Sequence, residues 1–363
     1  MINVLGILSR RVDLPLAGGL IVLCLLGLVV LFSASGESTA VLSSQAIRIG
    51  VGISVMIFVA QLPPSTLLKT GPVLYVLGIL LLTAVAVWGD GQGARRWIDL
   101  GYIRFQPSEI LKLAVPILIA AIVSNRSLPP SFRGLLLCIV VIFVPVVLIY
   151  SQPDLGTAIL VTLSGLIILF LGGISWRIIR YFLFFVGCLA PIAWYVIRDY
   201  QKQRILTLFF PEKDPLGAGY HILQSKIAIG SGGKYGKGWL NGTQSHLEFL
   251  PERATDFIFA VYCEEFGFVG VLVLFMAYAL VVIRSIGILY DAQDTFSRLL
   301  GGAIIFTFVS YIFVNIGMVV GLLPVVGVPL PLISYGGTSM VTILGSFGIL
   351  MSIQTHKKFY ANV

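Results

Sequence analysis

Charge is scarce in this 363-residue sequence. Asp, Glu, Lys and Arg together make up 11% of it, too little for the surface of an ordinary soluble domain. The net charge of +8 is spread between apolar runs and not gathered on one polar module, so it does not point to nucleic acid. Histidine is nearly absent: His221, His246 and His356 stand alone, which leaves no His-based metal site. The four cysteines (Cys24, Cys138, Cys188 and Cys263) all lie inside apolar runs, at spacings that build neither a disulfide framework nor a C-x-x-C site. No phosphate-loop signature occurs. The nearest approach is GSGGKYGKGW at 230–239, where Lys237 is followed by Gly238; it reads as a flexible turn region. No organic cofactor motif is present, and no internal repeat supports a two-fold transporter architecture.

What the sequence has is apolar length. Hydrophobic residues make up 58% of it, arranged in runs of about 20, the length that crosses a bilayer as a helix. The fold class is therefore an all-α integral membrane protein of about ten transmembrane helices, near 14–34, 44–62, 71–89, 107–125, 134–151, 155–173, 178–197, 257–283, 298–322 and 333–354. Residues 1–363 form one polytopic domain with a long outer loop at about 198–256. The first run, after Arg10 and Arg11, exceeds the roughly 7–15 apolar residues of a cleaved signal, so it reads as an uncleaved span. Lys69, Arg126, Arg133, Arg177, Arg180, Arg284, Arg298, Lys357 and Lys358 fall on the same side as Arg10 and Arg11. Basic loops stay in the cytoplasm, which puts both termini inside and the long loop outside.

Polar residues at the membrane's outer edge are where chemistry is expected. Asp256 ends the long loop just as the chain turns apolar; it reads either as a helix cap or as a working group. Arg95, Arg96 and Arg104 break the charge rule on the outer face. They can bind lipid headgroups, pair with Asp90 and Asp99, or form an electropositive ligand site with Trp97 beside it. Glu109 and Lys112 share a helix face, with Lys112 roughly 7 Å below the start of its span, where it needs a partner. Asp154 caps the sixth span or, facing a shared cavity, helps hold a divalent cation. YHILQSKIAI at 220–229 has the pattern of a short helix in the interface. The run from Gly321 to Ser339 is apolar yet full of helix breakers, which is tolerated only against protein or a water-filled cavity. Asn315 reads as an interhelical hydrogen-bonder.

These blocks resemble the SEDS family (shape, elongation, division and sporulation). Asn315…Gly321-x-x-Pro324-x-x-Gly327…Ile333-Ser-Tyr-Gly-Gly-Thr-Ser339 is similar to the family signature. RWIDLG (96–101), QPSE..K (106–112), QPDLGT (152–157) and LPERATDFIFA (250–260) are similar to its other blocks, in order from the third span to the tenth. The outer loop 214–253 is worded more like the elongation members than the division members. The common family form has His before Thr-Asp; here Ala254 stands there, so that position is not itself a proton-transfer group.

The resemblance implies a membrane glycosyltransferase that polymerises peptidoglycan from lipid II, a disaccharide-pentapeptide on undecaprenyl pyrophosphate. The implied partner is a class B penicillin-binding protein, the cross-linking transpeptidase, and the implied location the bacterial cytoplasmic (inner) membrane. The donor linkage is α and the product β, so a single inverting displacement is the economical route. Pyrophosphate leaves without a proton, so one base suffices where glycoside hydrolysis needs two carboxylates. On this reading Asp256 is the base. Arg48, Arg95, Arg96 and Lys112 hold pyrophosphate, alone or with Mg2+ or Mn2+, and Glu109 keeps Lys112 charged. Trp97, Gln224 and Ser225 complete the expected substrate-binding set. The competing classes are a lipid II flippase and a non-catalytic scaffold for the transpeptidase.

Overall fold

A computed structural model describes residues 12–88, 96–99, 104–126, 128–197, 199–214, 217–246, 250 and 252–356. The charges expected at Arg10, Arg11, Asp90, Arg95, Lys357 and Lys358 lie outside these residues. Apart from one two-residue strand pair, every regular element among the described residues is helical. Lipid offers the backbone no hydrogen bonds, so each apolar run closes its own ladder.

Ten helices answer the ten expected runs: α1 (Leu14–Ala34), α2 (Thr39–Gln61), α3 (Pro64–Trp88), α4 (Ser108–Ser124), α5 (Phe132–Ser151), α6 (Leu155–Leu171), α7 (Trp176–Val196), α11 (Ile258–Tyr290), α12 (Thr295–Val319) and α13 (Thr338–Thr355). The outer loop carries α8 (Asp199–Phe209), α9 (Ala218–Gly232) and a single turn, α10 (Thr243–His246). Seven of the ten are long and apolar enough to cross a membrane, and α6 is a shorter apolar helix, so the chain is a multi-pass membrane protein. Side-chain caps start them: Asp13 accepts from Leu16 N, Asp154 from Thr157 N and Asp294 from Ser297 N. At the start of α1, Arg284 grips both oxygens of Asp13, at 3.0 and 2.5 Å, and so ties α1 to α11.

The centre of the bundle is α12 with α4, both largely buried. Around them α13 lies closely along α2, where a Cβ on Gly348 would meet Met56 O at 2.5 Å. Small residues let membrane helices approach in this way. By contrast α7 exposes large apolar side chains on every side, including Tyr181, Phe184 and Tyr195.

Three expectations change. The run expected as one span at 257–283 is broken at Gly267 (φ 63, ψ −165), giving a short half-helix from Ile258 and a long one ending at Tyr290. The last span begins at Thr338 and not at 333, because Leu332 (φ 63) and the preceding breakers keep 320–337 irregular. Finally, 230–239 is no loose turn. Lys237 N and Gly238 N donate to Glu264 O and Glu265 O, while Phe268 N and Val269 N donate to Gly233 O and Lys234 O, all at 3.0–3.1 Å. A helix break leaves such groups without partners, and this glycine loop supplies them. Lys237 Nζ reaches the fully buried Glu264 carboxylate at 2.7 Å and fastens the clasp.

Candidate active site

The irregular segment 320–337 folds across the mouth of the half-helix, and its polar groups are spent on holding the chain just before that helix. Ser334 Oγ accepts from Leu330 N and donates to Thr255 O at 2.6 Å. Tyr335 N donates to Ala254 O at 2.9 Å, and Asn315 Nδ2 donates to Asp256 O at 2.9 Å and Val328 O at 2.7 Å. Gln45 of α2 holds the same segment from behind, donating to Ser334 O and accepting from Gly336 N. The backbone from Ala254 to Asp256 is thus fixed at three successive carbonyls. Asn315 is a hydrogen-bonder as expected, but it bonds two carbonyls of irregular backbone and does not bridge two helices.

Asp256 does not cap the half-helix. The N-cap is Phe257, and no side chain bonds the first turn. The Asp256 carboxylate instead faces a cavity of about 220 Å³ whose wall also carries Arg96, Trp97, Glu109, Lys112 and Asp154. Six of the residues singled out from sequence, drawn from four separate stretches, therefore share one cavity. Gly327 (φ 75) makes room for the carboxylate: a Cβ there would lie 3.5 Å from Asp256 Oδ2.

The opposite wall is cationic. Lys112 Nζ pairs with Glu109 Oε1 at 2.7 Å, with side chains only 9% and 5% exposed. The same ammonium sits 5.3 Å from the centre of the Tyr311 ring. Arg96 is aimed by the turn between α5 and α6, donating to Gln152 O at 3.0 Å and to Pro153 O. Beside it Asp154 has both oxygens engaged, Oδ1 by Thr157 N as a cap and Oδ2 by Gln106 Nε2 at 2.9 Å. Arg48 lies at the rim, its guanidinium 4.4 Å from the centre of the Tyr335 ring. The first residues of α13, Thr338 and Ser339, complete that side.

Burial pushes the Asp256 carboxyl up to about 6. The Glu252 carboxylate pushes the same way, and Arg204 on α8 opposes them. Burial also lowers the affinity of nearby His221 for a proton; its ring stacks on Phe257 at 5.6 Å.

Gln224 and Ser225 are not on this wall. The α9 helix turns Ser225 inward, where its hydroxyl, fully buried, reaches Ile222 O at 2.9 Å and Val319 O at 2.7 Å and pins α9 to α12. No group of three His, Cys, Asp or Glu able to hold a metal occurs among the described residues. Sequence reasoning missed Tyr311, Gln106 and Arg204. Tyr311 carried a usable signal, standing four residues before Asn315 and so on the same helix face. Arg204 carried none, since only the folding of the outer loop brings it near Asp256.

The comparisons with known proteins agree with this geometry. A family profile described as "Cell cycle protein" (FtsW, RodA, SpoVE) matches residues 14–359. Peptidoglycan glycosyltransferase MrdB of Escherichia coli is 51% identical over 341 residues, covering 93% of this chain and 92% of the relative. Peptidoglycan glycosyltransferase RodA of Treponema pallidum is 32% identical, covering 77% and 81%. Among solved structures, one described as "Structural coordination of polymerization and crosslinking by a peptidoglycan synthase complex" superposes with a TM-score of 0.84 at 30% identity, over 95% of this chain and 99% of that one. RodA of Thermus thermophilus gives 0.72 at 27%, over 95% and 98%. Taken with the motifs that run from the third span to the tenth, these matches mean that the chain belongs to the FtsW/RodA/SpoVE family.

Proposed function

We propose that the cavity below Asp256 is where this peptidoglycan glycosyltransferase joins lipid II units. The observation that carries the proposal is the placement of one partly buried carboxylate and two cations, Arg96 and Lys112, on the walls of a single cavity. Asp256 takes the proton from the 4-hydroxyl of the acceptor GlcNAc as that oxygen attacks the anomeric carbon of the donor MurNAc. The bond to pyrophosphate breaks on the opposite face, and the configuration inverts. General-base help of this kind is worth about 10²–10⁴ in rate. A carboxyl titrating near 6 is ionised at neutral pH and more basic than an ordinary aspartate, as the step requires.

The leaving diphosphate needs positive charge and no proton. Lys112, Arg96 and, from the rim, Arg48 supply it, already placed on or beside the cavity wall before the charge develops. Glu109 and the Tyr311 ring hold the Lys112 ammonium in place. Trp97, on the same wall, offers a flat face to a sugar or to the lipid boundary.

The transpeptidase partner is a class B penicillin-binding protein. The similar structure described as a peptidoglycan synthase complex supports a partner of that activity. The protein lies in the bacterial cytoplasmic membrane with both termini inside, supported by Lys69, Arg126, Arg133, Arg177, Arg180, Arg284 and Arg298 on one side. The test uses purified protein with lipid II in detergent, where there is no second compartment. Glycan strands form with the natural chain and not with Asp256→Asn; strands of normal length from that variant would remove the base.

A further inference from the structure

Each turnover of that reaction leaves Asp256 protonated, inside a cavity filled by substrate. The loop ahead of it offers a way out. Glu252 stands in the left-handed region at φ 52, uncommon for a residue other than glycine. Its carbonyl accepts from Thr255 N at 3.1 Å and Phe257 N at 3.2 Å, so the turn folds Glu252 back against the base. Its side chain is exposed to solvent, and its Oε2 accepts the Thr255 hydroxyl at 2.7 Å. Thr255 itself lines the cavity beside Asp256. One carboxylate therefore links the cavity wall to open water.

We propose that Glu252 is the proton outlet of the base, a positioning residue that acts through Asp256; this rests on Asp256 being the general base. The acceptor O–H bond breaks as the new C–O bond forms, and its proton goes to the Asp256 carboxylate. That proton then passes through a water to the Glu252 carboxylate and on to bulk solvent. Both carboxylates return to their anionic form, with one proton released per bond made.

The electrostatics agree. Glu252 raises the proton affinity of Asp256, as a close like charge does, and its charge is felt at His221 as well. Arg204 faces Asp256 from α8, and the remaining ionisable groups on the wall are Arg96, Glu109, Lys112, Asp154, Tyr311 and Tyr335. Among these carboxylates Glu109 and Asp154 are already bonded within the wall, which leaves Glu252 as the one open to solvent.

The test measures lipid II polymerisation between about pH 5 and 8 at rising concentrations of acetate or imidazole buffer. The natural chain, Glu252→Gln, Glu252→Asp and Asp256→Asn are compared. Glu252→Gln is expected to lose about tenfold in rate, to regain it as buffer takes over the relay, and to shift its acid limb to lower pH. Glu252→Asp keeps most of the rate. A Gln variant equal to the natural chain overturns the proposal, and so does one that loses rate with no response to buffer. If Asp256→Asn is active, the base itself falls. An inactive Asn variant beside an unaffected Gln variant removes the relay alone.

Discussion

Breaking the Glu109–Lys112 pair in two ways separates its structural and chemical roles. The two charges lie 2.7 Å apart and are almost wholly buried. Removing one partner of such a pair strands the other, at a cost of about 3–5 kcal/mol. That is about two to three and a half powers of ten in the folded-to-unfolded ratio. The two single variants are not expected to be equal. After Glu109→Gln the ammonium keeps the Tyr311 ring, and a desolvated cation–π contact is worth up to about 2 kcal/mol. Glu109→Gln should therefore fall at the lower end, and Lys112→Met, which leaves a bare carboxylate, at the upper end. The double variant Glu109→Gln/Lys112→Met buries no net charge and should recover most of the loss, since apolar replacements of buried pairs are often neutral. Activity should follow a different rule. Both single variants are damaged, and the double variant, though folded, stays about 10²–10³ below the natural rate for want of a cation at the leaving group. Equilibrium unfolding in detergent, followed by tryptophan fluorescence, gives the stability side, and gel analysis of glycan strands gives the other. A double variant whose instability equals the sum of the singles would refute the pairing. A double variant that polymerises normally would refute the role of Lys112.

Activity should rise with pH through about 6, because only the ionised Asp256 accepts a proton; a profile flat from pH 5 to 8 would contradict this. That carboxyl titrates above its ordinary value of 3.8, so ionising it opposes folding at neutral pH. Asp256→Asn should then melt no lower than the natural chain above pH 6, as thermal scans would report. Gly267→Ala should abolish folded protein, because φ is 63 and the added Cβ would run into the backbone of Tyr235 and Gly236. Gly287→Ala, in a helix with nothing within 4 Å, should be neutral or slightly stabilising in the same expression and melting assays. Asn315→Ala frees two carbonyls, Asp256 O and Val328 O, and should cost about 1–3 kcal/mol in stability.

The spans were legible because lipid imposes one rule, apolar length, on every helix. Asp256, Glu109 and Lys112 stood out because a charge at the edge of an apolar run or inside one needs a reason, and the structure brings all three to one cavity. What could not be read was the break at Gly267. In Glu264-Glu265-Phe266-Gly267 the glycine looks like any other in a membrane helix, and only the docking of a loop thirty residues earlier makes it a break. Ser225 misled for a related reason: a polar residue on an amphipathic helix looks available until the partner helix is known, and α12 takes its hydroxyl. Arg96 was legible as a charge but not as a direction, which the carbonyls of Gln152 and Pro153 set from another turn.

Three carbonyl tethers on residues 254–256 come from Asn315, Ser334 and Tyr335, groups that leave the ribosome some 60 to 80 residues later. While the chain is being made, the half-helix can enter the bilayer long before anything fixes the acid at its entrance. The proposed base is thus fixed in place only once the C-terminal segment has been made, and a chain cut short after Tyr290 would insert its earlier helices with the acid unplaced.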